Sequence, residues 1–202
     1  MKNEIQALLF DFGGVIIEIS FDRVFARWAE LARVPFAQVK ERFSHGEEYQ
    51  RHERGEIDIA AYFASLRRDL GIDLSDEDFA EGWAQVFGPE QPRTVALLRE
   101  LEPRIPLYLF SNTNPAHYQL WSARYAEALR PLRRRFISHE MGLRKPDRES
   151  FEQVSREMGI PLERILFFDD TQANVDGARA AGMPAVLVRS PEDVAAAVRP
   201  WL

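Results

Sequence analysis

The 202 residues suffice for one large domain, or for a core that carries an insertion. A hydrophobic fraction of 46% and a charged fraction of 29% are ordinary for a globular chain, and the net charge of -6 argues against a nucleic-acid binder, which would show a basic face. There is no cysteine, which excludes a disulfide framework and a thiolate zinc site. Met1 to Gln6 are polar and carry an acid, and no apolar stretch is long enough to span a bilayer. A cytoplasmic protein without a membrane partner is therefore expected.

Ala7 to Phe10 is apolar without alternation, as in a strand buried on both faces. It delivers Asp11, and Gly13 and Gly14 follow, where the backbone can turn sharply and approach a bound group. The periodicity then becomes helical. Ser20 is placed to cap a helix with Phe21, Val24, Phe25, Trp28 and Ala32 on one face. Pro35 opens a second helix. Asp58 can cap a third, which Gly71 closes, and Ser75 with Asp78 resembles a capping box for a fourth. Residues 18–90 thus read as all-helical, and Trp28, Phe63, Trp83 and Phe87 read as core by their spacing.

Beyond Pro89 and Pro92 the pattern alternates. Strands are predicted at Ile105 to Phe110, Phe136 to Ser138, Ile165 to Phe168 and Ala185 to Val188. Helices are predicted at 93–101, from Pro115, from Pro146 to Met158, up to Gly182, and from Ser190-Pro191. Alternation of this kind implies an α/β fold, a Rossmann-like doubly wound parallel sheet with right-handed crossovers. Residues 1–17 and 91–202 would form that core, with the helical residues 18–90 inserted after the first strand.

Polar groups recur where the strong strands end: Asp11, then Ser111 and Asn112, then Asp169 and Asp170, with Lys145 ahead of a helix. Ligands of open α/β sheets bind outside these carboxyl ends. Clustered carboxylates repel one another and call for a cation, and oxygen ligation without His or Cys points to magnesium. A magnesium ion, a lysine, a hydroxyl and free amides together make a phosphate site, at which one carboxylate can act as nucleophile.

The order Asp11, Ser111, Lys145, Asp169-Asp170 resembles the four motifs of the haloacid dehalogenase superfamily, over essentially the whole chain. The inserted helices resemble that family's small helical cap. The segments Phe10-Asp11-Phe12-Gly13, His52-Glu53-Arg54-Gly55-Glu56-Ile57, Ser111-Asn112-Thr113-Asn114 and Phe167-Phe168-Asp169-Asp170 are most similar to bacterial α-D-glucose-1-phosphate phosphatases. The phosphatase domain of soluble epoxide hydrolases is more distant. The resemblance implies that Asp11 is the nucleophile and binds magnesium together with the Gly13 carbonyl and Asp170. It implies that Ser111 and the amide of Asn112 hold the phosphoryl oxygens, that Lys145 neutralises charge, and that Asp169 and Asn174 support the metal.

One position departs from the family pattern. Most of these phosphatases carry a second Asp two residues after the nucleophile as general acid and base, and here that residue is Gly13. His45, His52, Glu53 and Glu47 of the helical segment are candidates to stand in, and His45 and His52 to bind substrate. The tripeptide Asp11-Phe12-Gly13 also occurs in protein kinases, but no glycine-rich nucleotide loop precedes it. A receiver domain would carry its acid pair near the start of the chain. The expectation is a magnesium-dependent phosphomonoesterase for a small phosphorylated metabolite, with α-D-glucose 1-phosphate first, acting as a monomer or homodimer. A phosphatase for another metabolite such as flavin mononucleotide, and a non-catalytic phosphate-binding or regulatory protein, are the alternatives.

Overall fold

Every side chain of Ala7–Phe10 (β1) is buried, because the strand lies at the centre of a parallel sheet covered on both faces. The structure is a computed structural model and describes residues 4–202; the polar start expected at Met1 to Asn3 lies outside the described residues. From β1 the chain passes through a short strand, Ile17–Ile19 (β2), into five helices. These are Phe21–Ala32 (α1), Phe36–Arg42 (α2), Glu47–Glu53 (α3), Ile59–Leu70 (α4) and Asp76–Trp83 (α5). It returns along Phe87–Glu90 (β3), which pairs antiparallel with β2.

The remainder alternates as expected: Pro92–Leu101 (α6), Leu107–Ser111 (β4), Pro115–Arg124 (α7), Ala126–Leu129 (α8), Arg134–Ile137 (β5) and Ser138–Met141 (α9). Arg148–Met158 (α10), Ile165–Asp169 (β6), Gln172–Ala181 (α11), Ala185–Leu187 (β7) and Pro191–Val198 (α12) complete it. The sheet order is β5-β4-β1-β6-β7, parallel throughout. Strand alternation divides its side chains between two cores. Leu8, Phe10, Leu107 and Leu109 enter one, which is continuous with the helical segment and includes α6 and α12. Leu9, Phe110, Phe136 and Phe167 enter the other, against α10 and α11.

The expectation that 18–90 is wholly helical is corrected by β2 and β3. Their pairing, with Ser20 N–H donating to Val86 O at 2.9 Å and Gln91 N–H to Ile16 O at 2.8 Å, closes the base of the helical segment. A three-residue strand and a strand holding Gly88 and Pro89 carry too little alternation to be visible in sequence. The short helices α3, α8 and α9 were also unexpected, as segments of four to seven residues show no full period. Among the caps, Asp58 accepts from Ala61 N–H at 2.8 Å and Ser75 from Asp78 N–H at 3.1 Å. Ser20 occupies the N-cap of α1 without a side-chain bond. Among the described residues no helix is long and apolar enough to cross a membrane.

Aromatic packing holds the helical segment together. Trp28 and Trp83 stack with ring centroids 5.6 Å apart, and the Trp28 indole donates to Phe79 O at 3.0 Å. This contact depends on Gly82, where a Cβ would lie 2.2 Å from Trp28 Cδ1. Gly to Ala within a helix normally stabilises by about 1 kcal/mol. Here Gly82→Ala is expected to destabilise by about 1–3 kcal/mol through overpacking. Chemical denaturation checks the sign; a variant more stable than the parent would contradict the packing described.

Candidate active site

Because β1 lies between β4 and β6, the carboxyl ends of the three strands open side by side. Asp11 follows β1 directly, and its N–H donates to Phe168 O of β6 at 2.8 Å, which fixes the residue at the strand end. Gly14 has φ +73, and a Cβ on it would lie 2.1 Å from Asp170 Oδ2. The close approach of the first loop to the Asp170 carboxylate therefore requires glycine at that position.

Lys145 is 1% exposed, and its ammonium group is buried among the strand ends. Its Nζ lies 2.8 Å from Asp11 Oδ1 and donates to Asp169 Oδ2 at 2.6 Å and Phe110 O at 3.0 Å. It also sits 5.3 Å from the ring centroids of both Phe110 and Phe167. Asn112 holds the lysine's backbone at two points: its amide donates to Lys145 O, and its carbonyl accepts from Lys145 N–H, both at 2.9 Å. The Asn112 side chain is thereby committed to placing Lys145, and any contact of this residue with a ligand falls to its backbone. Behind it, Ser138 Oγ donates to Thr113 O and accepts from Thr113 N–H, and Trp121 Nε1 donates to Thr113 Oγ1, which pins the loop after β4.

The oxygens of Asp169 are fully used. Oδ1 accepts from Thr171 N–H at 2.8 Å and Asn174 Nδ2 at 3.0 Å, and Oδ2 accepts from Lys145 and, at 3.1 Å, from Asn174. Asp11 and Asp170 retain capacity for a further ligand. Carboxylate oxygens of Asp11, Asp169 and Asp170 lie within 4.8 Å of one another.

Burial pushes the Asp11 carboxyl upward; Lys145 draws it down, but Asp169 and Asp170 add to the rise. Asp170 is raised by burial and then by Asp169. Burial works against the Lys145 ammonium, yet Asp11 and Asp169 outweigh it and keep its pKa above the ordinary value. Three carboxylates thus share one lysine, and the cluster is short of positive charge. Its donors are all oxygen, so a hard divalent cation fits it on both charge and ligand type.

A cavity of ≈ 470 Å³ opens over this cluster. Asp11, Gly13, Ser111, Asn112, Lys145, Asp170 and Asn174 all line it, so the structure brings together the residues expected at the strand ends; Asp169 lies beneath them. Of the residues expected from the helical segment it brings His45 and Glu53 and leaves out two. His52, expected to bind substrate, does not line the cavity: it is buried in the helical core, stacks on Tyr62 at 4.8 Å, and has Nδ1 3.2 Å from Ile57 O. Its place on the inner face of a short helix was hidden because α3 was not recognised. Glu47 is exposed and pairs with Arg54.

Sequence reading missed the rest of the wall. Ile19, Phe21, Val86 and Phe87 come from both sides of the β2–β3 pair, and Tyr49 and Gln50 from α3. Arg144 directly precedes Lys145 in the chain. In the structure its Nε and Nη2 both lie 2.9 Å from Glu53 Oε2, joining α3 to the loop that carries the lysine. A charged residue beside a site lysine was the one available signal; its partner, 91 residues away, left none.

Known proteins resemble this chain in sequence and in fold. The family described as haloacid dehalogenase-like hydrolase matches residues 5–182. The chain is 24% identical over 184 residues to D-ribitol-5-phosphate phosphatase of Bacteroides thetaiotaomicron, covering 88% of this chain and 89% of the relative. It is 28% identical over 189 residues to a sesquiterpene phosphatase of Aspergillus oryzae, covering 91% and 89%. A crystal structure of a family enzyme from Bacteroides thetaiotaomicron, in complex with magnesium and inorganic phosphate, superposes with a TM-score of 0.81 at 26% identity, covering 96% of this chain and 100% of that one.

The raised carboxyls make a pH prediction. Asp11 and Asp170 hold protons more tightly folded than at their ordinary value of 3.8, so the stability they contribute is full below that value and falls as pH rises through the folded values. Each group contributes a slope of up to about 1.4 kcal/mol per pH unit within its window. Chelator-treated protein should therefore lose stability as pH rises from about 4 toward neutrality. Magnesium or Asp11→Asn should flatten the loss. Thermal melts across pH check this, and an identical profile in all three samples would contradict it.

Proposed function

The chain belongs to the haloacid dehalogenase-like hydrolases, and on that premise we propose that it is a magnesium-dependent phosphomonoesterase acting through an aspartyl phosphate on Asp11. The observation that carries this reading is the Lys145 ammonium, buried between Asp11 at 2.8 Å and Asp169 at 2.6 Å, at the edge of a cavity that Ser111 also lines. Asp11, the Gly13 carbonyl and Asp170 are the groups that would hold magnesium. The bound ion would supply charge neutralisation at the phosphoryl oxygens.

The chain's own residues divide the work as follows. The Asp11 carboxylate attacks phosphorus and the bond to the alcohol oxygen breaks, the departing oxygen taking a proton from solvent; water then attacks the aspartyl phosphate, giving up a proton to solvent, returning Asp11 and releasing inorganic phosphate. Lys145 offsets the negative charge gathered between nucleophile and phosphoryl group. Ser111 and the backbone of Asn112 hold the phosphoryl oxygens, while Asp169 and Asn174 fix Lys145 and the adjoining loop. Residues 18–90 serve as a cap over the site and residues 1–17 and 91–202 as the catalytic core, a division supported by the β2–β3 pair through which the chain leaves and re-enters.

Gly13 supplies no proton, and a Cβ there would lie 3.0 Å from Ile19 Cδ1, so Ile19 occupies the space beside it. General acid assistance is typically worth about 10²–10⁴-fold. Its absence costs least for a leaving group that needs little protonation, such as the anomeric oxygen of a sugar. A small sugar phosphate, with α-D-glucose 1-phosphate first, is the substrate we assign. The ribitol phosphate of one relative is likewise a small polyhydroxylated monoester, with a primary alcohol as its leaving group.

Phosphate release from a panel of phosphomonoesters, with magnesium and then with excess chelator, tests the activity. Turnover should need the metal and favour sugar and polyol phosphates. Asp11→Asn should lose about 10³-fold or more in kcat while melting as a folded protein; retained turnover would sink the mechanism. A folded protein that binds magnesium but releases no phosphate would instead be a phosphate-binding protein on this scaffold.

A further inference from the structure

We infer that the Glu53–Arg144 pair restricts the leaving group to an uncharged alcohol, excluding phosphomonoesters that carry a second anion there; this rests on the phosphatase reading above. The cavity presents two permanent cations, Arg144 and Lys145. Lys145 is committed to Asp11, Asp169 and the phosphoryl group it would meet. Arg144, one residue earlier, would otherwise be a ready reader of a carboxylate or second phosphate.

Arg144 is not available for that task. Both of the nitrogens it turns to Glu53 lie 2.9 Å from Oε2, and the side chains are 16% and 7% exposed. The Glu53 carboxylate cancels the guanidinium charge within the cavity wall. The cavity's histidines do not replace it: burial lowers His45, with Arg144 adding to the effect, and burial holds His117 at about 3. His117 is further occupied, with Nε2 3.2 Å from Trp83 O and its ring stacked on Trp83 at 4.6 Å.

A second anion on the leaving group would therefore be desolvated with no free cation among the described residues to meet it, beside the carboxylate of Glu53. A hydroxylated leaving group faces no such conflict. Gln50, whose amide nitrogen donates to His45 O at 3.2 Å, retains its amide oxygen for such a group, and Ile19 and Phe87 offer apolar contact to its carbon skeleton. The pair joins helix α3 to the loop carrying Lys145, so the same contact that holds the wall closed sets its charge to zero.

The test compares two small probes, glycerol 1-phosphate and 3-phosphoglycerate, which differ only by a carboxylate in place of a hydroxymethyl group on the leaving group. Magnesium-loaded protein should favour the glycerol ester in kcat/KM by at least about tenfold, and Glu53→Gln, which frees Arg144, should shrink that ratio about tenfold. Calorimetric binding of both probes to Asp11→Asn gives a second readout that needs neither turnover nor a folded Glu53 variant; it should show the same preference. Equal use and equal binding of the two probes would overturn the inference, as would an unchanged ratio in a Glu53→Gln protein with native circular dichroism. Selective binding without any turnover would support the charge filter and overturn the phosphatase reading. Binding of neither probe would overturn both.

Discussion

A buried ammonium group is tolerated only if charges and dipoles replace the water it has lost, and Lys145 meets that condition from three directions. Asp11 from the end of β1, Asp169 from the end of β6 and the carbonyl of Phe110 in β4 all converge on one nitrogen. These are the three central strands of the sheet, so the lysine reports on their register as well as on the chemistry. Asn112 grips its backbone from the loop after β4, and the Thr171 amide and Asn174 complete Asp169 from the N-cap and first turn of α11. Nearly every polar atom around the lysine is spoken for, except where Asp11 and Asp170 face the cavity.

That exception gives the site its character. Two carboxylates retain capacity for a ligand where burial already disfavours their charged forms. Such a cluster is poised for a divalent cation and, beyond it, for a phosphoryl group. The backbone cooperates at Gly14, whose missing side chain leaves room for the Asp170 carboxylate. Gly13 is different in kind. It carries no carboxyl group, and Ile19 from β2 fills the adjoining space, so the cavity wall is apolar there.

The helical segment contributes the other half of the enclosure through a small number of contacts. Its aromatic core, centred on the Trp28–Trp83 stack, runs without a break into the core under one face of the sheet. Glu53 and Arg144 then tie its α3 to the lysine loop by a charged pair in a largely buried setting. A pair of that kind contributes orientation and charge balance more than net stability, since desolvating both partners offsets most of their attraction.

The chemistry of the strand ends was legible in the chain itself. Continuous apolar runs before Asp11, Ser111 and Asp169 mark strands buried on both faces, and a buried parallel strand has one place to present a polar group, its carboxyl end. The alternation after Pro92, the caps at Asp58 and Ser75, and the spacing of the tryptophans are likewise local, since each depends on residues within a turn or two. What the sequence did not carry is whatever depends on two distant segments meeting. The β2–β3 pair is too short to show a period, and His52 turned inward on a helix too short to recognise. The partnership of Glu53 with Arg144 spans 91 positions with no local trace. The sequence by itself determined which groups stand at the sheet edge and hence the class of chemistry, because strand burial and strand polarity are local patterns. Only the tertiary structure decided which side chains line the cavity and how their charges are paired, because that follows from long-range packing of side chains whose neighbours in sequence say nothing about their neighbours in space.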